Sequence, residues 1–517
     1  MHTKTQINKA FHSFHKFKDE KFREYQAETI KTIVDSKLSV FVLTAPVGSG
    51  KSILGTTIIK LFGDGIYLCH SKYLQTQIQN DFPEFELLFG RSNYKCIQAK
   101  DDSLTCADCP YPEPQLVCKK YDKCLYRMQK SKVAKHHLRC LNYTYFLYVN
   151  NYTRDKLFAN KPVIVCDEAD KLESELLNFV NIVITEAQVR HLGLGLPKYK
   201  TACRKGILDW KNWAIDSKEK VRERLDNLPW NATRKECEYL GSFWYKLDSF
   251  VDMVDETWLL EYKEQTKYGQ RWSFMPTWLT PEMTEKFFRN HCGKLVLMSA
   301  KLPPPEALSK KLGIPVDEMD YLEVPSTWDK KNRPIKFIPT VAINEETTDE
   351  ELEDMKPVIE KILEKHKEQK GLVHTSSYKL TKFVMSIGNN RLITHNSDNK
   401  VKIIESFKKS NEPLVIVSPS MIRGVSLDDD LCRFIIFFKS PFLNLGNKQI
   451  NVRMFSSEEG RLWYDAEAIQ NIEQGVGRGV RHKDDYCHIY LLDKNIERLY
   501  DKRFKLFSDH FKESITW

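Results

Sequence analysis

A glycine-rich stretch follows an apolar run near the start of the chain. The run Ser39–Thr44 leads into Ala45-Pro-Val-Gly-Ser-Gly-Lys-Ser52, and a helical pattern then extends from Ile53 to Phe62. A strand, a glycine turn and a helix in this order form a phosphate cradle, because the N–H groups of the turn and the helix N-terminus face the anion. Ala45 stands where the strict pattern has glycine. The segment predicts a nucleotide site, with a solvated turn as the alternative.

Each residue of this loop has a predicted task. Gly48, Ser49 and Gly50 turn backbone N–H groups toward the phosphates. Lys51 neutralises the β- and γ-phosphates, and the Ser52 hydroxyl binds Mg²⁺.

A second candidate group lies at the end of another apolar run. Pro162–Cys166 is followed by Asp167-Glu-Ala-Asp170. A carboxylate at a strand end can bind Mg²⁺ while its neighbour activates water, so Asp167 is the predicted metal ligand and Glu168 the predicted general base. A solvated acidic strand end is the alternative.

The third candidate group lies near the C-terminus, in Gln474-Gly-Val-Gly-Arg-Gly-Val-Arg481. We expect a helix here, so Arg478 and Arg481, three residues apart, share one face. Opposite a phosphate loop, such a pair would stabilise transition-state charge. Two solvated arginines are the alternative.

Six of the thirteen cysteines fall between residues 96 and 140: Cys96, Cys106, Cys109, Cys118, Cys124 and Cys140. Four thiolates suffice for tetrahedral zinc or for an iron–sulfur cluster, and the residues alone do not choose between them. Reduced core cysteines are the third possibility. Cys140 is expected to be buried where the chain re-enters the first α/β unit.

The same segment is basic, with ten Lys and Arg against five Asp and Glu between Lys95 and Cys140, interleaved with tyrosines. Basic charge beside aromatic rings suits single-stranded nucleic acid, and a solvated basic face is the alternative.

Composition and patterning predict an α/β fold. The 517 residues, 41% hydrophobic with a net charge of +9, are ordinary for globular proteins. The start of the chain lacks a signal peptide and no apolar run approaches a membrane span, so we expect an intracellular protein, cytoplasmic or nucleoid-associated. Near-continuous apolar strands predict two parallel-sheet units covered on both faces. The predicted divisions are 1–95, 141–172 and 275–302 for the first unit, 303–517 for the second, and insertions at 96–140 and 173–274, the latter mainly helical.

The ordered motifs resemble the superfamily 2 helicases of the XPD/DinG iron–sulfur branch. Arg23-Glu-Tyr-Gln26 resembles the adenine-reading motif, and Ser71–Gln77 a motif that touches the nucleic-acid backbone. Gly90–Cys96 is similar to the segment leading to the first cluster cysteine. The remaining motifs are matched by Asp167–Asp170, Ser299–Leu302, Ser418–Ser426 and Gln474–Arg481.

The resemblance implies two RecA-like motor domains, interrupted by a [4Fe–4S] insertion and a helical arch. It implies ATP, Mg²⁺ and cluster cofactors, with Arg23 and Gln26 reading the base. Cys96, Cys118 and Cys124 would be cluster ligands, with Cys109 favoured slightly over Cys106 for the fourth. It also implies 5′→3′ travel on single-stranded DNA with unwinding of forked DNA, and we expect a monomer.

Three positions depart from the family pattern: Lys301 replaces Thr, Arg423 replaces Glu, and Ser426 replaces Asp. They favour a second hypothesis, an ATP-gated DNA-binding protein that does not unwind. RNA and RNA–DNA hybrids remain alternative substrates. Only about twenty residues precede Arg23, so we expect no nuclease domain there.

Overall fold

The computed structural model describes residues 2–99, 103–109, 118–153, 156–196, 204–229, 232–325, 329–396, 399–420, 427, 429–477, 479–480 and 484–516. The strands of these residues form two parallel sheets and a small antiparallel sheet.

The first sheet has seven parallel strands in the order β10-β1-β9-β5-β2-β4-β3. Its strands are β1 (Val40–Thr44), β2 (Gly65–Cys69), β3 (Glu86–Leu87), β4 (Leu138–Asn142), β5 (Lys161–Cys166), β9 (Cys292–Ser299) and β10 (Met319–Glu323). Successive residues face opposite sides: Val40 and Val42 join one apolar core, and Phe41 and Leu43 join the other. Both faces are therefore buried, as near-continuous apolar strands require.

Helices cover this sheet on both sides. They are α1 (Lys4–His12), α2 (Gln26–Asp35), α3 (Lys51–Phe62), α4 (Lys72–Asp81), α5 (Leu125–Lys135), α6 (Tyr143–Tyr152), α11 (Pro281–Phe287) and α12 (Pro305–Leu312). The cysteine-rich segment lies between β3 and β4, where its described part contains short 3₁₀ turns and α5.

The second insertion combines helices with an antiparallel sheet. Its elements are α7 (Leu172–Val180), β6 (Ile182–Thr185), α8 (Glu186–His191), α9 (Arg204–Asp226), α10 (Arg234–Met253), β7 (Leu259–Thr266) and β8 (Gly269–Met275), with strand order β6-β8-β7. Trp210, Trp258 and Trp272 are buried in a core continuous with the first sheet. The insertion, expected to be mainly helical, therefore also contains a sheet that packs against its two long helices.

The second large sheet has six parallel strands in the order β11-β16-β15-β12-β14-β13. The strands are β11 (Ile335–Phe337), β12 (Gly371–His374), β13 (Leu392–Thr394), β14 (Val415–Ser418), β15 (Phe434–Phe437) and β16 (His488–Leu491). The helices are α13 (Asp349–Leu352), α14 (Lys356–Lys365), α15 (Tyr378–Met385), α16 (Lys400–Lys409), α17 (Lys448–Ser456), α18 (Glu458–Val476), α19 (Lys494–Arg503) and α20 (Asp509–Lys512).

Two sequence-based expectations differ from the structure. The first sheet extends past the boundary predicted at residue 302, because β10 pairs with β1 through Val40 and Met319. The helix expected across Gln474–Arg481 ends at Val476, where the glycines at 475, 477 and 479 weaken helix propensity.

The α/β class with two parallel sheets is confirmed. Among the described helices, none combines the length and apolar character needed to cross a membrane.

Candidate nucleotide and nucleic-acid site

The predicted phosphate loop connects β1 to α3. Gly48 and Gly50 both have left-handed backbone conformations, with φ of 81° and 84°, and Gly50 is the N-cap of α3. A Cβ atom on Gly50 would lie 2.3 Å from Gln26 Nε2. Glycine is favoured here by the left-handed backbone, and an added Cβ would also displace the end of the Gln26 side chain.

The predicted base-reading segment contacts that loop directly. Arg23 Nη1 donates a hydrogen bond to the Gly48 carbonyl at 2.7 Å, and Gln26 Nε2 donates to the Ser49 carbonyl at 2.9 Å. The Gln26 Oε1 atom accepts from the Arg23 backbone N–H at 2.9 Å. Tyr25 and Val324 line a small pocket beside these residues. The structure thus brings Arg23 and Gln26, which the resemblance implies to read the base, to the phosphate loop.

The predicted catalytic acids follow β5, two strands from β1. Asp167 is buried, and its Oδ1 atom accepts a hydrogen bond from the Glu168 backbone N–H at 3.0 Å. Burial raises the pKa of the Asp167 carboxyl, and the positive charge of Lys51 partly offsets this effect. Lys51 Nζ donates to the carbonyls of Ala45 and Pro46 at 2.9 and 3.2 Å. Lys51 and Asp167 are therefore close enough for the ammonium charge to stabilise the carboxylate.

Glu168 has a left-handed backbone with φ of 50°, which is uncommon for a residue with a side chain. Such a conformation persists where the surrounding structure holds it in place, and it is frequent at functional sites.

The last acid of the motif is tied to the strand beside it. The Ser299 hydroxyl at the end of β9 donates a hydrogen bond of 2.7 Å to Asp170 Oδ1. The motifs Asp167–Asp170 and Ser299–Leu302, which are far apart in the chain, are thus in direct contact.

A cleft separates this assembly from the second large unit. Its lining comes from both units: Thr44, Pro46, Val47, Ala300, Glu323, Glu473, Val476, Gly477, Ser508, His510 and Phe511. A Cβ atom on Gly477 would lie 3.2 Å from Val47 Cγ2, so the C-terminal end of α18 contacts the phosphate loop. Gln474 lies in the last turn of α18. Arg478 and Arg481 lie outside the described residues.

Lys301, one of the departures from the family pattern, is buried at this interface. Burial raises the pKa of the Glu473 carboxyl, and the charge of Lys301 partly offsets that rise. Arg423 and Ser426 lie outside the described residues.

Part of the cysteine segment brings its thiols together. The Cys106 and Cys124 Sγ atoms are 3.8 Å apart. Burial raises the pKa of the Cys106 thiol to about 12, with further contributions from Cys124 and Cys96. Cys109 ends the turn that carries Cys106, and Cys118 is half-buried. Within the described ranges, no set of three or more Cys, His, Asp or Glu side chains is arranged to hold a metal ion.

Cys140 lies in β4 and is buried, as expected, with its Sγ atom 3.6 Å from that of Cys69 in β2.

The cysteine segment and the second insertion meet through ion pairs. Arg91 and Glu238 form a bidentate pair with N–O distances of 2.8 and 2.9 Å. Lys235 Nζ lies 3.6 Å from Asp108 Oδ1. The pairs join the segment around the first cysteines to α10.

Two residues near the nucleotide site escaped the sequence-based predictions. Tyr67, in β2, is buried close to Asp167, and burial raises the pKa of its phenol, with a further contribution from the Asp167 charge. Glu473 precedes the predicted Gln474 and accepts a hydrogen bond from the Ser508 backbone N–H at 2.7 Å. The only sequence signal for Glu473 is its position next to Gln474. Tyr67 has no such signal, because it lies in the middle of an apolar strand.

Comparison with known proteins identifies two family models in the chain. The helicase C-terminal domain matches residues 359–513, and the type III restriction enzyme res subunit matches residues 19–196. The chain is 32% identical over 100 residues to the ATP-dependent DNA helicase CHL1 of Saccharomyces cerevisiae, covering 16% of this chain and 12% of that protein. It is 26% identical over 227 residues to the ATP-dependent DNA helicase XPD of Sulfolobus acidocaldarius, covering 40% of each.

A solved XPD helicase structure shares the fold, with a TM-score of 0.60 over 94% of this chain and 98% of that one, at 17% identity. The matched segments span well under half of the curated relatives' lengths. The two family models, the curated relatives and the shared fold agree with the ordered motifs. The chain thus contains segments that match a helicase C-terminal domain and a type III restriction enzyme res subunit, and it is similar to superfamily 2 helicases of the XPD/DinG type.

Proposed function

We propose that this chain is an ATP- and Mg²⁺-dependent DNA helicase that translocates on single-stranded DNA. The observation that supports this most strongly is the shared cleft, in which Val47 of the phosphate loop meets Gly477 at the end of α18. A nucleotide bound in that cleft would contact both units, so its hydrolysis would change their relative position.

The chemistry is distributed over both units. Arg23 and Gln26 bind the base, Gly48, Ser49 and Gly50 present backbone N–H groups, and Lys51 neutralises the phosphates. Glu168 orients and deprotonates the attacking water, while Gln474, Arg478 and Arg481 act from the second unit. The buried Asp167 carboxylate, in the electrostatic reach of Lys51, and Ser52 at the start of α3 have the oxygen donors that Mg²⁺ prefers. Bound Mg²⁺ would neutralise phosphate charge.

The nucleic acid would pass between the cysteine segment, the second insertion and the first sheet. The basic charge between Lys95 and Cys140 supports phosphate binding there. The ion pairs Arg91–Glu238 and Lys235–Asp108 would close this path around a strand. The 5′→3′ polarity is part of the proposal and follows from the similarity to helicases of the XPD/DinG type.

The cysteine segment is proposed to hold a [4Fe–4S] cluster through four of Cys96, Cys106, Cys109, Cys118 and Cys124. The thiol chemistry suits such a cluster, and the approach of Cys106 to Cys124 supports a shared centre. The described residues do not assemble four thiols around one point, so no step of the mechanism is assigned to the cluster. Its role would be to hold together a segment with little apolar core.

A second candidate function is ATP-gated DNA binding without unwinding. The burial of Lys301 beside Glu473, where the family pattern has threonine, favours it. An altered link between the Ser299–Leu302 motif and the second unit could let hydrolysis proceed without strand separation.

DNA-stimulated ATP hydrolysis tests the proposed nucleotide site. Replacing Lys51 by Ala should reduce turnover by about 100-fold or more, because the phosphates lose their fixed cation. Lys60→Ala, on the last turn of the same helix, is the matched control and should retain turnover. Undiminished hydrolysis by the Lys51 variant would refute the assignment.

A further inference from the structure

Four charged side chains from both large units form a buried network away from the nucleotide cleft. Arg453 Nη1 lies 2.7 Å from Glu173 Oε1, and Lys311 Nζ lies 3.7 Å from Glu173 Oε2. Lys311 also forms an ion pair with Glu467. Relative exposure is 2% for Lys311 and Arg453 and 5% for Glu173. The Glu467 side chain is 15% exposed, so three of the four charges are buried and the fourth lies at the edge of the network.

The surroundings of Arg453 fix it further. Its guanidinium carbon lies 4.4 Å from the Trp278 ring centroid and 4.9 Å from that of Trp463. A planar guanidinium between two aromatic rings gains cation–π attraction that a lysine ammonium would not reproduce in the same geometry. The guanidinium also donates to the Thr277 carbonyl.

The helix that carries Arg453 binds the base of the second insertion along its length. Lys448 Nζ donates to the Leu260 carbonyl at 2.9 Å, and Gln449 Nε2 donates to the Pro276 carbonyl at 2.7 Å. Helix α17 therefore lies in the second unit by sequence but is attached to the first.

Helix α18 contacts the first unit through Trp463, through Glu467 and through its C-terminal turn. Glu467 meets Lys311 in the network, and Gly477, which caps the helix, meets Val47 of the phosphate loop. The ten-residue step from Glu467 to Gly477 corresponds to roughly 15 Å along the helix axis. These two contacts differ in kind: Glu467 belongs to a charge network, and Gly477 makes a van der Waals contact beside a cleft.

We infer that the Glu173–Lys311–Arg453–Glu467 network is the pivot about which the two units rotate, with α18 as the lever. Separating buried ion pairs leaves uncompensated charges in the interior, so the network resists opening. The contact between Gly477 and Val47 itself separates no charges and lies beside the cleft where nucleotide would bind. Glu473, one helical turn before Gly477, does interact there with the charge of the buried Lys301. Glu173 lies three residues after Asp170, so the pivot is attached to the acidic motif itself. Glu173, Lys311 and Arg453 are thus positioning residues, and the inference rests on the proposed motor function.

Hydrogen–deuterium exchange of the wild-type chain tests the pivot without mutation. The probe is ADP with beryllium fluoride and Mg²⁺, compared with the nucleotide-free protein. Amides of 474–477 should become at least about threefold more slowly exchanging, because a closed cleft restricts local opening. Amides of α12 and α17 should exchange at equal rates in both states. Equal changes at the pivot and at 474–477 would overturn the inference.

Variants provide the second measurement. Lys311→Met keeps the side-chain length but removes the charge, and should lower strand displacement per ATP hydrolysed by about tenfold while the KM for ATP changes less than about threefold. Lys311→Arg should restore most of the coupling. Lys286→Met, which removes an exposed ion pair with Asp252 at 3.2 Å, is the control and should change neither quantity.

The outcomes separate the two levels of the account. The pivot alone is overturned if the wild type unwinds DNA and the folded Lys311→Met variant keeps both its coupling and the wild-type exchange rates in α17. Wild-type protein that neither binds nor hydrolyses ATP overturns the proposed function, and with it any rotation about the pivot.

Discussion

Arg91 and Glu238 form a bidentate ion pair, 147 residues apart in the chain, that joins the cysteine-rich segment to helix α10. The two residues are 21% and 37% exposed at their side chains, so solvent weakens but does not abolish the attraction. In the proposed function, this contact closes the path of the strand beside the first sheet.

Reversing the charge of Arg91 should loosen this contact. Arg91→Glu places two carboxylates together, which should speed binding to circular single-stranded DNA by about threefold or more, since electrostatic repulsion favours the open path. The double variant Arg91→Glu with Glu238→Arg should return the rate to the wild-type value. Stopped-flow measurement of association with closed circular DNA gives these rates. Equal rates in all three proteins would contradict the proposal that this ion pair closes the path of the strand.

Substitution of Gly50 should disrupt the nucleotide site more than its backbone strain alone explains. Gly50→Ala places alanine in a left-handed conformation, which costs about 1–2 kcal/mol, and its Cβ would displace Gln26 Nε2 from its hydrogen bond to the Ser49 carbonyl. Gly63 has a similar φ of 77° with nothing within 4 Å of an added Cβ, so Gly63→Ala isolates this backbone cost. Calorimetric ATP affinity should fall in the first variant only. An equal loss in both would show that the contact with Gln26 is unimportant.

The cysteine assignment predicts a coloured protein. Purified without air, the wild type should be brown, and Cys124→Ser should bleach it and weaken unwinding more than ATP hydrolysis. Cys106→Ser and Cys109→Ser, compared side by side, identify the fourth ligand, because only one of them should remove the absorbance. Cys292→Ser is the control outside the segment. A colourless wild type that carries zinc would refute the cluster.

The pair of His70 and Glu175 predicts a pH-dependent contribution to stability. The His70 Nδ1 atom lies 2.9 Å from Glu175 Oε1, and this carboxylate, with smaller effects of Glu168 and Asp170, raises the pKa of His70 above its ordinary value of 6.5. A raised histidine pKa stabilises the fold fully below pH 6.5, and the contribution is lost as the pH rises through the raised pKa.

Glu175→Gln should therefore lower the free energy of unfolding at pH 6 by at most about 1 kcal/mol, because His70 is partly exposed. Urea unfolding at pH 6 and pH 9 measures it, and the difference between the two proteins should vanish at pH 9. A difference that persists at pH 9 would assign the effect to packing instead.

The apolar strands were predictable because both faces of the two parallel sheets are buried. The apolar runs Ser39–Thr44 and Pro162–Cys166 agree with β1 and β5 to within one residue at each end. Strand β4 was not predicted, because the buried Arg139 interrupts its apolar pattern and depends on an ion pair with Asp64. Strand β10 lies at the sheet edge, where partly exposed charged residues hide the strand signal.

The loop residues of the candidate site were recognisable because their chemistry lies in contiguous motifs. The Glu173–Arg453 pair was not, since its members are 280 residues apart and neither lies in a motif. Long-range partners of this kind are set by the packing of the two units, which local patterns do not encode.

Strand displacement on a tailed duplex tests the central claim most directly. The substrate is a labelled duplex with a 5′ single-stranded tail, compared with a 3′-tailed and a blunt duplex, with and without ATP and Mg²⁺. The account predicts ATP-dependent release of the labelled strand from the 5′-tailed duplex, and none with Lys51→Ala. DNA binding and ATP hydrolysis by the wild type without release from any of the three substrates would contradict the helicase assignment and support ATP-gated binding instead.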